Sequence, residues 1–380
     1  MLQPTRAFIH LNRFQDNILN IRKRIGPGRR ICLALKADAY GHGAIPLAKF
    51  VQERHLAEYI GVATVSEGIQ LRQAGITLPI LKFSPCLPEE IMDALKNRII
   101  LTVASERFAK QISQKAFKAN IQAEIHVKID TGMGRIGFNK HTCIESILSI
   151  SRLHNIKISG IYTHFPVSDI KNKDFSIHQI VEFREICSNI ESLGLHIPIH
   201  HMANSGAILD LPESFMDMVR PGIMLYGYPP SAETTNSVDI LPIMTLATRI
   251  NFIKRFYPGE TISYGRTYEI KEECFIATLP AGYADGYNRR LSNKGKVIID
   301  DKFYPVVGRV CMDQIMINLG KENRFDIGQQ VVLMGYHNGL RFDAFDIADI
   351  ADTISYEITC NINKRVPREY IYEEKNNLFS

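Results

Sequence analysis

Lys36 ends an apolar run, "ICLAL", and is followed at once by "ADAYGHG". A lysine so placed either carries its charge out to water or presents a nucleophilic amine to a pocket. Other apolar runs end in polar groups too. "HVKIDTGMGRIG" carries Lys128, Asp130 and Arg135, and "GIYTH" ends in His164. "HMANSG" holds His201, Asn204 and Ser205, and "VRPGIMLYG" holds Arg220, Gly222 and Tyr226. Taken singly, each has a plain reading: a hydrogen-bonded core histidine, a glycine turn, or an N-cap at "ANSG" before "AILDL".

What decides between these readings is the set of elements that must position them. Short β-branched runs, "RICLAL", "YIGVAT", "LPILKF", "IILTV", "AEIHVKI", "ISGIYT", "IPIHHM" and "FMDMVR", read as strands. Between them lie helical patterns such as "AIPLAKFVQE", "SEGIQLRQAG", "SERFAKQISQKAF" and "SIHQIVEFREICSNIESLG". So regular an alternation predicts a closed (β/α)8 barrel of the TIM type rather than an open doubly wound sheet. Barrels gather the carboxyl ends of their strands at one mouth, so Lys36, Lys128, Arg135, His164, Ser205 and Arg220 are expected to converge.

Ser205 with neighbouring backbone N–H groups at a helix start, and Gly222 permitting close backbone approach, would form a phosphate cradle. A cradle opposite a lysine points to pyridoxal phosphate, held by its phosphate and by a Schiff base to Lys36. After the Pro/Ser/Thr-rich "YGYPPSAETTNS" the pattern changes to short strands broken by turn signals, as in "CFIATL-PAGYADG" and "GKVIID-DKFYPVVGRV". One short helix is expected at "DAFDIADIADTI". The division therefore falls between a barrel over residues 1–236 and a mainly-β domain over residues 237–380.

At 380 residues the chain is long enough for two cores. Its 45 Lys+Arg against 40 Asp+Glu leave a net charge of +5 with no long basic block, which argues against nucleic acid or an anionic membrane as partner. The stretch "MLQPTRAFIHLNRF" has no long apolar core of the kind a signal peptide requires, and no run is apolar for the ~20 residues a membrane helix needs. A cytoplasmic protein is expected. The seven cysteines are widely spaced and never form C-x-x-C, so reduced thiols are expected, with no metal site.

In order along both expected domains, "ALKADAYGHG", "VKIDTGMGRIGF", "GIYTHF", "MANSG", "VRPGIMLYG", "PGETISYGRTY", "PAGYADGYNRR", "VGRVCMDQIMINL" and "ISYEITCNINKRVPR" resemble the alanine racemase family of fold-type III pyridoxal-phosphate enzymes. "HFPVSD" departs from the more usual "HFA.AD" but keeps His164. The resemblance implies a homodimer whose active sites draw on both subunits. It implies that Lys36 is the Schiff-base lysine and the base for the D-enantiomer. Tyr264 is then the opposite-face base for the L-enantiomer, delivered by the partner subunit. Tyr40, His164, Asn204, Ser205, Gly222, Ile223 and Tyr356 fall in the cofactor shell, with Arg220 facing the pyridine nitrogen. Arg135, Met312 and Asp313 fall at the substrate, and Lys128 matches a position that is carbamylated in many members. The role implied in a bacterium is supply of D-alanine for peptidoglycan.

The chemistry follows from these residue types. Moving a proton from one face of Cα to the other needs two groups on opposite sides, and lysine and tyrosine both titrate near a pKa of about 10. Positive charge, with Arg220 and His164 as candidates, would favour the tyrosinate of Tyr264. An arginine at the pyridine nitrogen donates a hydrogen bond without giving up its proton, which restrains side reactions such as transamination. Tyr356 and Met312 are expected to narrow the pocket toward a methyl group. Serine or broad-specificity racemases share these blocks. A decarboxylase of the ornithine type would carry a glycine-triplet loop that is absent, and a non-enzymatic cofactor carrier would not need the second domain.

Overall fold

The computed structural model describes residues 3–372. The chain groups into two units, one made of Gln15–Ala39 and Ala44–Ile240 and the other of the remaining residues.

In the first unit, eight parallel strands close into the expected barrel. In ring order they are Arg30–Ala34, Tyr59–Val62, Ile80–Lys82, Ile99–Val103, Ala123–Asp130, Ile156–Tyr162, His200–His201 and Met218–Val219, the last pairing back to the first. The strands are buried almost throughout, as a parallel sheet covered by helices requires. The Ile18, Ile21 and Ile25 stripe of the helix Leu11–Ile25 is buried as well. This helix is tied to the end of the barrel by Asn17, which donates to the Leu225 carbonyl at 3.0 Å.

The seventh and eighth strands are shorter than "IPIHHM" and "FMDMVR" foretell. Asp217 explains part of this, because its carboxylate accepts the His200 N–H at 2.8 Å and the ring Nδ1–H at 2.8 Å. A side chain thus takes a donor that a longer strand would give to its neighbour.

In the second unit, a mainly antiparallel sheet runs in the order Phe252–Phe256, Cys274–Leu279, Ile315–Gly320, Lys302–Val307, Lys296–Ile299, Gln330–His337, Met244–Arg249, Arg6–His10 and Arg368–Ile371. The helix expected near its end spans Ala344–Ala351 and opens on an Asp343 cap whose carboxylate accepts the Phe345 N–H. Patterning alone assigned residues 1–236 to the barrel, and here the structure departs from it. Arg6–His10 pairs antiparallel with Met244–Arg249 and parallel with Arg368–Ile371, completing the sheet of the second unit. Strand partners over two hundred residues away leave no local signal in the sequence.

Candidate active site

The barrel mouth begins with an unusual backbone. Ala37, Asp38, Ala39 and Tyr40 all adopt φ of 52–53°, a left-handed turn built without glycine. Such a conformation costs roughly 1–2 kcal/mol for each L-residue, so about 4–8 kcal/mol must be offset by the surroundings. Three hydrogen bonds do this. Ala39 donates to the Leu35 carbonyl at 2.9 Å, Ala37 N–H to Glu67 Oε1 at 2.7 Å, and Ala44 N–H to Asp38 Oδ1 at 2.8 Å. The chain leaves through Gly41 and Gly43, both at positive φ. A methyl group on Gly41 would meet the Thr359 carbonyl oxygen.

Across the mouth, Arg220 is 6 % exposed, and among the described residues its side chain donates to neutral acceptors. These are His201 Nδ1 at 2.8 Å, the Thr163 carbonyl at 2.8 Å, the Met202 carbonyl at 3.1 Å and His164 Nδ1 at 3.3 Å. Burial pushes the guanidinium down to about 10, which still leaves it a cation at neutral pH. Because arginine can only donate, His201 must carry its proton on Nε2 and donate it to His126 Nδ1 at 2.9 Å. The His126 proton then sits on Nε2, a buried atom with no hydrogen-bond partner. Gly160 makes room for this ring, since a Cβ there would lie within 2.7 Å of three imidazole atoms of His126.

Tyr162 organises the same region. Its ring stacks on His201 at 4.7 Å, its hydroxyl contacts Thr102 Oγ1 at 2.7 Å, and Lys128 Nζ and Arg220 Cζ lie 5.0 and 5.1 Å from its centroid. Lys128 is almost wholly buried, and among the described residues no carboxylate is in ion-pair contact with it. Burial first, then Arg220 and Arg135, push its amine down to about 7, with Asp130 alone among the charged groups acting the other way. Asp130 also winds the "TGMG" loop, accepting the Gly132 and Gly134 N–H groups at 3.0 and 3.1 Å. His164 is held well below the usual histidine range by burial and then by Arg220, Lys128, Arg135 and Lys36. It is neutral, so the expectation that His164 supplies positive charge is corrected. The charge comes from Arg220, Arg135 and Lys36, with Lys128, pushed down to about 7, a cation only in part at neutral pH.

Ser205 and Gly222 do meet: Gly222 N–H donates to Ser205 Oγ at 2.9 Å. Asn204 caps the short helix Ser205–Asp210, its Oδ1 accepting from Ala207 N–H at 3.0 Å and from Ser168 Oγ at 2.8 Å. Ile223 is fully buried.

The second unit presents the remaining residues. Tyr264 is 72 % exposed, on a turn in which Ser263, Gly265 and Arg266 all have positive φ. Ser263 Oγ ties that turn to the Arg309 carbonyl at 2.7 Å. Met312 is half exposed, and its segment is clamped by Tyr283 N–H to the Cys311 carbonyl and Ala284 N–H to the Met312 carbonyl, both at 3.0 Å. Asp313 accepts from Arg365 at 2.7 Å, a guanidinium that also holds Asp285. Tyr356 packs its ring 5.7 Å from that of Tyr40, whose hydroxyl burial pushes up.

The neutral histidines set a pH dependence. His126 is pushed down to about 3 by burial and then by Arg220, whereas the unfolded chain binds its proton near 6.5. Its contribution to stability is therefore full above about 6.5 and is lost as pH falls toward 3. Between pH 6.5 and 5, above most carboxylate titrations, unfolding free energy is expected to fall with acid. In His126→Asn the slope should be shallower by up to one proton, about 1.4 kcal/mol per pH unit. Denaturant titrations at three pH values check this, and parallel slopes in the two proteins would refute it.

Sequence reasoning missed Glu67, His126 and Tyr162. Only Tyr162 left a trace, as the aromatic residue just before "TH" at a strand end.

A closed parallel barrel with a lysine after its first strand and cationic side chains gathered at the strand ends, Lys128 and Arg220 buried among them, followed by a β-rich unit carrying an exposed tyrosine, defines a class of two-domain barrel enzymes. Residues 9–230 match the model of the alanine racemase N-terminal domain and residues 243–370 that of the C-terminal domain. Over 368 residues the chain is 43% identical to an alanine racemase of Halothermothrix orenii, covering 97% of each. It is 44% identical over 374 residues to one of Clostridium tetani, covering 97% of this chain and 96% of that one. Among solved structures, an alanine racemase of Clostridium difficile 630 superposes with a TM-score of 0.92 at 39% identity, covering 98% and 97% of the two chains. The chain belongs to the alanine racemase family. A histidine racemase of Leuconostoc mesenteroides, at 24% identity and a TM-score of 0.89, shares the fold alone.

Proposed function

We propose that the protein is an isomerase that interconverts L- and D-alanine with pyridoxal phosphate as cofactor. The observation that carries this reading is the buried Arg220, a cation whose hydrogen-bond partners among the described residues are neutral, beside Lys36, Lys128 and Arg135. In this family such a cluster fits an anionic, phosphate-bearing ring. Asp130 is the one acidic group acting on Lys128, so the donor set has positive charge to spare.

Lys36 would hold the cofactor covalently, with Tyr40, His164, Asn204, Ser205, Gly222, Ile223 and Tyr356 around it and Arg220 donating to its ring nitrogen. Bound there, pyridoxal phosphate supplies an electron sink that acidifies the Cα proton of an amino acid. Lys36 Nζ then exchanges a proton with one face of Cα, and Tyr264 Oη of the partner subunit serves the other face. Arg135 orients the substrate carboxylate, with Met312 and Asp313 entering from the second chain of a homodimer. The exposure of Tyr264 and Met312 supports their engagement by a second copy. The near-neutral amine of Lys128 suits addition of carbon dioxide, with loss of a proton, to give a carbamate opposite Arg135.

Among the described residues no helix is long and apolar enough to cross a membrane. The reading places the enzyme in the cytoplasm, supplying D-alanine for peptidoglycan. Incubating the loaded protein with L-alanine in heavy water tests it. Deuterium at Cα together with D-alanine is the expected result. Release of carbon dioxide would indicate a decarboxylase, and absence of any exchange a carrier. Equal turnover of alanine, serine, lysine and arginine would overturn the narrow substrate range.

A further inference from the structure

The three carboxylate contacts of Glu67 divide by oxygen. Oε2 accepts the N–H groups of Ala63 and Thr64 at 2.7 and 3.1 Å, and Thr64 Oγ1 accepts the Glu67 N–H at 3.1 Å. That half is a capping box, and it accounts for the start of the helix Val65–Gln73. Oε1 does something a cap does not need. It accepts the Ala37 N–H at 2.7 Å, thirty residues away, in the loop after a different barrel strand.

That N–H belongs to the peptide joining Lys36 to Ala37. Fixing its direction fixes the peptide plane from which the Lys36 side chain departs, at the first of four left-handed residues. The two loops are already in register, because Leu35 N–H donates to the Gly61 carbonyl at 2.9 Å. Downstream, Asp38 Oδ1 fixes the far end of the turn through the Ala44 N–H. Oε1 holds the Ala37 peptide directly against return to the right-handed region that alanine prefers.

We propose that Glu67 is a positioning residue for Lys36, holding through the Ala37 N–H the left-handed turn that aims the lysine amine. The inference rests on Lys36 being the cofactor lysine. A glutamine cannot replace it, since one amide oxygen can serve either the cap or Ala37 while its NH2 group faces the other donors.

The test compares Glu67→Ala and Glu67→Gln with Thr64→Ala, which breaks the cap but leaves Oε1 on Ala37. In full-length protein loaded with pyridoxal phosphate, amide hydrogen exchange is followed over residues 36–40 and, for global opening, over Ile99–Val103. Exchange at residues 36–40 is expected to accelerate at least tenfold in Glu67→Ala and severalfold in Glu67→Gln, staying within twofold in Thr64→Ala. The rate at which borohydride-trappable cofactor forms on Lys36 should fall at least tenfold in Glu67→Ala alone. Exchange unchanged by Glu67→Ala, equal acceleration in Thr64→Ala, or equal acceleration at Ile99–Val103 would each overturn the proposal. Trapping on another lysine in the unmutated protein would instead overturn the role of Lys36, which separates the two failures.

Discussion

Replacing Lys36 with alanine is expected to abolish racemisation of alanine, lowering the rate by at least about 10⁴-fold. Two losses combine in this variant. The covalent anchor for the cofactor is removed, and so is the amine that exchanges a proton on one face of Cα; general acid–base groups alone contribute ~10²–10⁴-fold. The fold should survive, because the side chain follows a strand that ends at Ala34 and the turn is clamped through the Ala37 and Ala39 N–H groups and the Asp38 carboxylate. A small primary amine added to Lys36→Ala should restore part of the activity by supplying the missing proton acceptor. Chirality-resolved assay of alanine, with circular dichroism to confirm folding, reads the result. Activity within tenfold of the unmutated protein would remove Lys36 from the mechanism.

Arg220→Leu is expected to destabilise the barrel by about 3–5 kcal/mol. His201 Nδ1 and the Thr163 and Met202 carbonyls all lose their donor, and a buried acceptor left unpaired costs ~1–3 kcal/mol. Relief of the cost of burying a cation offsets part of that sum. The loss spreads along the Arg220, His201 and His126 chain, since His201 no longer has a donor to fix its tautomer. Lys128 and His164, both pushed down in part by Arg220, should titrate closer to their ordinary values. Denaturant midpoints of the barrel transition measure the first effect, and nitrogen chemical shifts of the histidines report the second. A destabilisation under about 1 kcal/mol would show that the guanidinium bonds are not what organises the mouth.

Much of the site was legible because barrel topology turns strand ends into neighbours. Lys36, Lys128, His164 and Arg220 could be grouped by where their runs stop, and four of those runs end at one mouth. Charge state was not legible in the same way. His164 reads as a cation candidate until its burial and the neighbouring Arg220, Lys128, Arg135 and Lys36 are known. Tyr162, His126 and Glu67 act through partners 30 to 75 residues away; Tyr162 is marked only by its place before "TH", and nothing in the local sequence marks the reach of His126 to His201 or of Glu67 to Ala37.

By itself, then, the sequence determined the alternation of strand and helix, the change to a β-rich second half, and the residue types at each strand end. Those follow from periodicity and turn chemistry, which are local. Tertiary structure alone decided that the N-terminal strand completes the second sheet, that two histidines stay neutral in a chain leading to Arg220, and that residues 37–40 wind left-handed. Each of these depends on contacts whose cost or gain exceeds local preference. An alanine does not choose a left-handed turn, and a histidine does not stay neutral in acid, unless distant groups make the alternative worse.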